Sequence, residues 1–271
     1  MQQSSVKTLF DSNILTQYCT DIESKLAGHK IMTKCDYFKY MKPPTTFLNL
    51  YTLIDGTKEL CTGVIPYAKS CLTACVIGDK QCDKYNALFL VKDTLNETEK
   101  KTVGFVIVEK GECNTYPNMI SIKLICSNFK GGGHILLGAV AYCIKMSAFD
   151  QGIILDLAGG TLNDRALKSY QRFGFVDSEE LRDSGNCYPT GKGNLIMILD
   201  LRYLGPKIIV YKVLGVENIP METIGPEYVI QEPNPFKRGR NNGNENNTKR
   251  TAFGGKRKTR RRRRTRSRRK N

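Results

Sequence analysis

The segment from Met119 to Ala158 constrains the fold of this chain most. Met119 to Cys126 reads as a β-strand and runs through Ser127-Asn128-Phe129-Lys130 into Gly131-Gly132-Gly133. Ile135, Leu136, Ala139, Val140, Cys143 and Ile144 then recur at helical spacing to about Phe149. Gly152 stops that helix, and Ile153 to Ala158 form a second, nearly all-apolar strand. Strand, glycine turn, helix, strand is a crossover unit, and such a unit joins parallel neighbours in a sheet.

Elements on either side widen the pattern. Ala87 to Val91 and Thr102 to Val108 are β-rich runs separated by a polar turn around Asn96, and they predict an antiparallel hairpin. After the crossover come Gly159-Gly160, a helix from about Leu162 to Arg172, a turn at Gly174 and a strand from Asn194 to Leu201. Upstream, Ile14, Leu15, Tyr18, Cys19, Ile22 and Leu26 follow helical spacing, with Asp11 or Ser12 as N-cap and Gly28 beyond the end. Between Lys30 and Val76 the signal is poor: Pro43-Pro44 breaks it, and Phe47 to Ile54 reads as a strand entering a turn at Asp55-Gly56. The order is α+β: a mixed sheet flanked by helices, with an antiparallel hairpin, then a β-α-β crossover, then α-β. The expected organisation is an N-terminal helical part (1–86), a core (87–203), an extension packed on it that contains Ile208-Ile209-Val210-Tyr211 (204–231), and a disordered basic tail (232–271).

Charge separates the tail from the rest. The formal net charge of the 271 residues is +16, yet residues 1–236 carry 25 Lys+Arg and 25 Asp+Glu. The 17 basic residues beyond Phe236 face a single acid, Glu245. With Ala252 and Phe253 as its only apolar residues, the tail cannot offset the entropy of folding. Seven arginines within Arg260 to Arg268 suit phosphate contacts and counterion release, without base-reading geometry. Non-specific, salt-dependent binding to DNA or RNA through residues 237–271 is expected; import receptors and acidic lipid surfaces would read the same residues. No run reaches the ~18 apolar residues of a membrane span, and MQQSSVKTLF lacks the features of a secretory signal. The expectation is a soluble, intracellular protein, nuclear or virus-associated, whose ten cysteines are reduced and mostly core fillers. The cysteines include no C-x-x-C pair, and His29 and His134 are the only histidines, so no metal site is expected.

The glycines after the first crossover strand have two readings. Backbone free of side chains at the positive end of a helix is an anion site, and Lys130 adds charge beside it; glycines also make tight strand-to-helix turns that bind nothing. Leu136 stands where a dinucleotide-binding loop has its third glycine, and no Gly-Lys-Ser/Thr follows as in a P-loop.

A second segment, Asn163-Asp164-Arg165-Ala166-Leu167-Lys168-Ser169-Tyr170-Gln171-Arg172-Phe173-Gly174-Phe175, completes a constellation. Together with Asn128-Phe129-Lys130-Gly131-Gly132-Gly133 it resembles the GNAT superfamily of N-acetyltransferases over roughly Ala87 to Leu201. In that family Q/R-x-x-G-x-G/A cradles the pyrophosphate of acetyl-CoA, and N-x-x-A-x-x-x-Y-x-x-x-G-F supplies the other wall of the site. The resemblance implies that Leu124, Ile125 and Cys126 present strand backbone to the pantetheine arm. It further implies that Lys130, Gly131, Gly132, Gly133 and His134 hold the pyrophosphate, that Asn163 hydrogen-bonds the cofactor, and that Tyr170 protonates the leaving thiolate. Tyr170 also reads as an ordinary helix tyrosine packing near Phe173.

Two departures stand out. Asn128 replaces the usual Gln or Arg, and the strand from Met119 to Cys126 offers Lys123 where family members often carry a glutamate base. Asp156 on the next strand is the best-placed carboxylate, as a base or as hydrogen-bonded structure. His134 reads as a helix N-terminal residue near phosphate rather than a catalyst, and Cys126 as strand core rather than nucleophile. Two functions follow: an acetyl-CoA-dependent acetyltransferase of a primary amine that the tail targets to nucleic acid, or a non-catalytic protein of this fold whose tail binds or packages nucleic acid. A neutral body ending in an Asn-rich linker and an Arg/Lys run also resembles proteins of large DNA viruses. Removing residues 237–271 is expected to abolish retention on a DNA or RNA column at low salt while leaving turnover of a small amine intact. Retention by the truncated chain would reveal an anion-binding patch in the body.

Overall fold

A computed structural model describes residues 9–40, 65–76, 84–92, 101–110, 119–147, 152–158, 164–178 and 194–216. The helices are α1 (Ser12–Asp21), α2 (Glu23–Leu26), α3 (Lys34–Tyr40), α4 (Ile65–Val76), α5 (Gly132–Met146), α6 (Asp164–Phe173) and α7 (Pro206–Leu214). The strands are β1 (His29–Thr33), β2 (Tyr85–Lys92), β3 (Lys101–Lys110), β4 (Met119–Ser127), β5 (Gly152–Leu157), β6 (Val176–Asp177) and β7 (Leu195–Asp200). They form one sheet in the order β1-β2-β3-β4-β5-β7-β6. The β4–β5 pair, joined through α5, is parallel and the other pairs are antiparallel, as the crossover and the hairpin predicted.

Both faces of β2 and β3 are covered, and these strands are apolar on both sides. Leu88 and Leu90 of β2 enter a core shared with α1, α5 and α7, whereas Ala87, Phe89 and Val91 enter a second core with Tyr37 of α3 and Ala68 and Leu72 of α4. The Tyr37 ring stacks on Phe89, and its hydroxyl hydrogen-bonds Thr102.

Helix α5 is the centre of the first core. The Tyr18 hydroxyl of α1, fully buried, donates to the Ile135 carbonyl at 2.7 Å. A Cβ at Gly138 would collide with that hydroxyl and with Val213 of α7, so a glycine there lets both outer helices approach α5.

Several elements differ from the sequence reading. The first helix is two helices, because the backbone leaves helical geometry at Ile22 (φ −115°, ψ 16°) while Ile22 stays fully buried. Ala27 and Gly28, both left-handed, then turn the chain into β1. That short, partly exposed edge strand carries no apolar pattern of its own; its pairing with β2, such as Ile31 opposite Leu90, is what holds it. Helix α5 begins at Gly132, three residues ahead of the first apolar position, so Gly132 and Gly133 belong to its first turn. The apolar run Ile208 to Tyr211 is helical, started by Gly205 and Pro206 and stopped by Gly215 in a left-handed conformation. Cys19, Cys35 and Cys143 are free thiols, but Cys126 is disulfide-bonded, contrary to the expectation of reduced thiols. The segment from Phe47 to Ile54 and the basic tail lie outside the described residues.

Alanine at an exposed helical glycine ordinarily stabilises a protein by about 1 kcal/mol. Gly138→Ala is instead expected to destabilise this one by about 1–3 kcal/mol in urea unfolding, because the added methyl meets Tyr18 and Val213.

Candidate functional site

The candidate site begins where β4 leaves β5. Strand β4 pairs with β3 from Ile120 to Ser127, but with β5 only from Met119 opposite Gly152 to Ile122 opposite Leu155. Strand β5 continues along β7 as far as Leu157 opposite Leu195. The β3–β4 register shifts at the same level: Ile107 faces Leu124 and Val108 faces Ile122, leaving Lys123 as the extra residue. Such a bulge bends and twists its strand, which accounts for β4 diverging while β5 stays with β7. Beyond Ile122, β4 has no strand partner on the β5 side among the described residues. This stretch contains Leu124, Ile125 and Cys126. Their main chain forms the β5-side edge of β4 past the last β4–β5 pair, and the Cys126 sulfur, held in a disulfide, is not a nucleophile.

The end of β4 is locked to β3. Ser127 Oγ donates to Val103 O at 3.1 Å, and the Asn128 N–H donates to the same carbonyl at 2.9 Å. Ser127 Oγ also accepts from the Phe129 N–H at 3.1 Å, closing the turn on itself. This serine sits between two glycines: a Cβ at Gly132 would collide with its hydroxyl, and one at Gly104 would come within 2.9 Å of it. Gly131, at φ +86°, caps α5 without a side-chain hydrogen bond. The Gly132 N–H bonds to Phe129 O, whereas the N–H groups of Gly133 and His134, in the first helical turn, have no backbone acceptor among the described residues. Lys130 and Gly131 are exposed, and open space lies where a Gly133 Cβ would stand. A side-chain-free turn with outward N–H groups and a lysine fits an anionic group such as a diphosphate.

Other expected residues border this framework. The His134 side chain turns toward α6, with Nε2 2.9 Å from Ser169 Oγ, and burial lowers its pKa. Tyr170, the next residue after Ser169, packs against the first core with its ring edge-on to Phe175 at 5.7 Å. Burial pushes its phenol up to about 12. Asp156 is exposed on β5 just past the last β4–β5 pair, and Asn194 Nδ2 donates to its Oδ2 at 3.2 Å. Asn163 lies outside the described residues.

The sequence reading missed Ser127, Gly104 and the pair Glu109–Lys123, whose charged atoms are 3.0 Å apart at the bulge. Gly104 was the available signal for Ser127, since a glycine within a strand often marks close approach of another segment.

No protein-family model and no curated protein matches the chain. Solved structures similar to it include a protein assigned to the GNAT family of acetyltransferases from Desulfovibrio desulfuricans, at 13% identity over 64% of this chain and 99% of that one, with a TM-score of 0.45. An acetyltransferase of the GNAT family from Staphylococcus aureus matches at 14% identity over 64% and 99%, TM-score 0.43. The ribosomal-protein-S18-alanine N-acetyltransferase from Escherichia coli matches at 16% identity over 65% and 96%, TM-score 0.40.

The buried phenol has a thermodynamic consequence. Above its ordinary value of 10.0 an unfolded Tyr170 loses its proton, while the folded side chain keeps it to about 12. The folded state therefore loses stability as pH rises through that window. Unfolding free energies measured across it are expected to fall less steeply for Tyr170→Phe than for the parent.

Proposed function

We propose that this chain is an acetyl-CoA-dependent N-acetyltransferase acting on a primary amine, and that residues 237–271 carry it to nucleic acid. The observation that supports the reading most directly is the divergence of β4 from β5 at the Lys123 bulge. Main-chain polar groups exposed within a sheet need partners, and the amides of a pantetheine arm can meet them as an added strand would. The adjoining turn suits the diphosphate, because Gly131 and Gly132 allow a backbone path that side chains would obstruct.

Bound there, acetyl-CoA supplies an acetyl group activated as a thioester. In this reading Leu124, Ile125 and Cys126 hold the arm through their main chain. Gly133 and His134 direct N–H groups at the diphosphate, with Lys130 adding a positive charge and Asn163 a hydrogen bond. Tyr170 keeps a proton on its hydroxyl at neutral pH and delivers it to the sulfur that leaves. Asp156, exposed at the mouth of the opening, takes the proton that the acceptor ammonium must lose before its nitrogen can attack.

The tail acts by a separate principle. Its arginine run neutralises phosphates and releases counterions, so its affinity falls with salt and carries no sequence preference. Asn128, standing where the resembled motif has Gln or Arg, favours the second reading, in which the fold is retained without catalysis.

Acetyl-CoA turnover against a panel of amines separates the two readings. Tyr170→Phe is expected to lower kcat by roughly 10²-fold, the usual scale of general acid catalysis. Gly131→Glu is expected to abolish acetyl-CoA binding by placing a carboxylate at the anion turn. A parent chain that neither binds acetyl-CoA nor acetylates any amine sinks the enzyme reading.

A further inference from the structure

We propose that His134 is a positioning residue tying the anion-accepting turn of α5 to the helix that carries Tyr170; this deepens the acyltransferase reading and rests on it. Its backbone belongs to the first turn of α5, but its ring is engaged by α6. Nε2 lies 2.9 Å from Ser169 Oγ and 3.3 Å from Ser169 O, and the ring meets Phe173 edge-on with centroids 5.8 Å apart. Those contacts bracket Tyr170: Ser169 precedes it directly and Phe173 follows one turn later. This is the only hydrogen-bonded link between α5 and α6 among the described residues.

Burial lowers the imidazole pKa, the hydrogen bond to Ser169 opposes that, and the nearby Arg172 charge lowers it further. A neutral ring bonded to α6 brings no charge to a phosphate. It instead transmits the location of the diphosphate turn to Tyr170, whose hydroxyl must stand at the sulfur for proton transfer. The Ser169 hydroxyl can donate or accept, so either imidazole tautomer sustains the tie.

The test uses the full-length chain carrying His134→Ala, Ser169→Ala, both together, and His134→Gln, each also combined with Tyr170→Phe. In the parent background His134→Ala is expected to lower kcat by about tenfold while the acetyl-CoA Kd moves by less than about threefold. Ser169→Ala should reproduce that loss, and the double variant should be no worse than the poorer single one. Glutamine, whose amide can bond to Ser169, should restore part of the rate. Without the Tyr170 hydroxyl, none of these changes should lower kcat further.

A loss confined to the acetyl-CoA Kd, with Ser169→Ala behaving as parent, places the ring on the phosphate and overturns the proposal. So does an equal kcat loss with and without the Tyr170 hydroxyl. Should His134→Ala fail to fold, as judged by urea unfolding, Ser169→Ala and His134→Gln decide alone. A parent that binds no acetyl-CoA defeats the acyltransferase reading itself, and the role of His134 falls with it; a parent whose kcat depends on Tyr170 but not on His134 defeats only this proposal.

Discussion

The extra residue at Lys123 is the constraint on which the site depends. Strands β3 and β4 stay hydrogen-bonded on both sides of it, so β4 must absorb the insertion by bending. Strand β5 keeps its register with β7 and cannot follow. Ile122 and Leu155, the last facing pair, both remain in the core beneath α5, so the sheet opens without losing its apolar anchor. The Lys123–Glu109 ion pair lies at the same level. A β4 paired with β5 through Ser127 would leave no main chain for a ligand to meet.

The rest of the architecture holds that opening in place. Val103 is the extra residue of a second register shift, between β2 and β3, and its carbonyl receives both the Ser127 hydroxyl and the Asn128 N–H. One bulge thus anchors the turn that begins beyond the other. Gly104 and Gly132 admit the serine between them, and Gly138 admits Tyr18 and Val213 against the far side of α5. The turn is fixed at its strand end by hydrogen bonds and at its helix end by the packing of α1 and α7, and support of this kind keeps a binding geometry within tolerance.

Charge is distributed on a different principle from structure. The neutral count over residues 1–236 means that the charge excess belongs to the last 35 residues. A net charge quoted for the whole chain would have suggested a basic nucleic-acid-binding fold, whereas the described residues build a mixed sheet flanked by helices.

Much of the fold was legible because it rests on local signals. The apolar runs of β2, β3, β4 and β5, and the helical period of α5, needed no knowledge of partners. Gly131 and Tyr170 were legible as a turn former and a motif member. Edge strand β1 was not, since its stability comes from pairing with β2, nor was the break at Ile22, where the backbone turns while the side chain stays buried. Nothing in the residue type of His134 distinguishes a ring that faces a phosphate from one that faces Ser169. The sequence by itself determined the order strand, glycine turn, helix, strand and the location of the cationic charge, because periodicity and composition are properties of single segments. Only the tertiary structure decided where β4 parts from β5 and which helix His134 engages, because a bulge exists only relative to a partner's register and a side chain's direction depends on what packs against it.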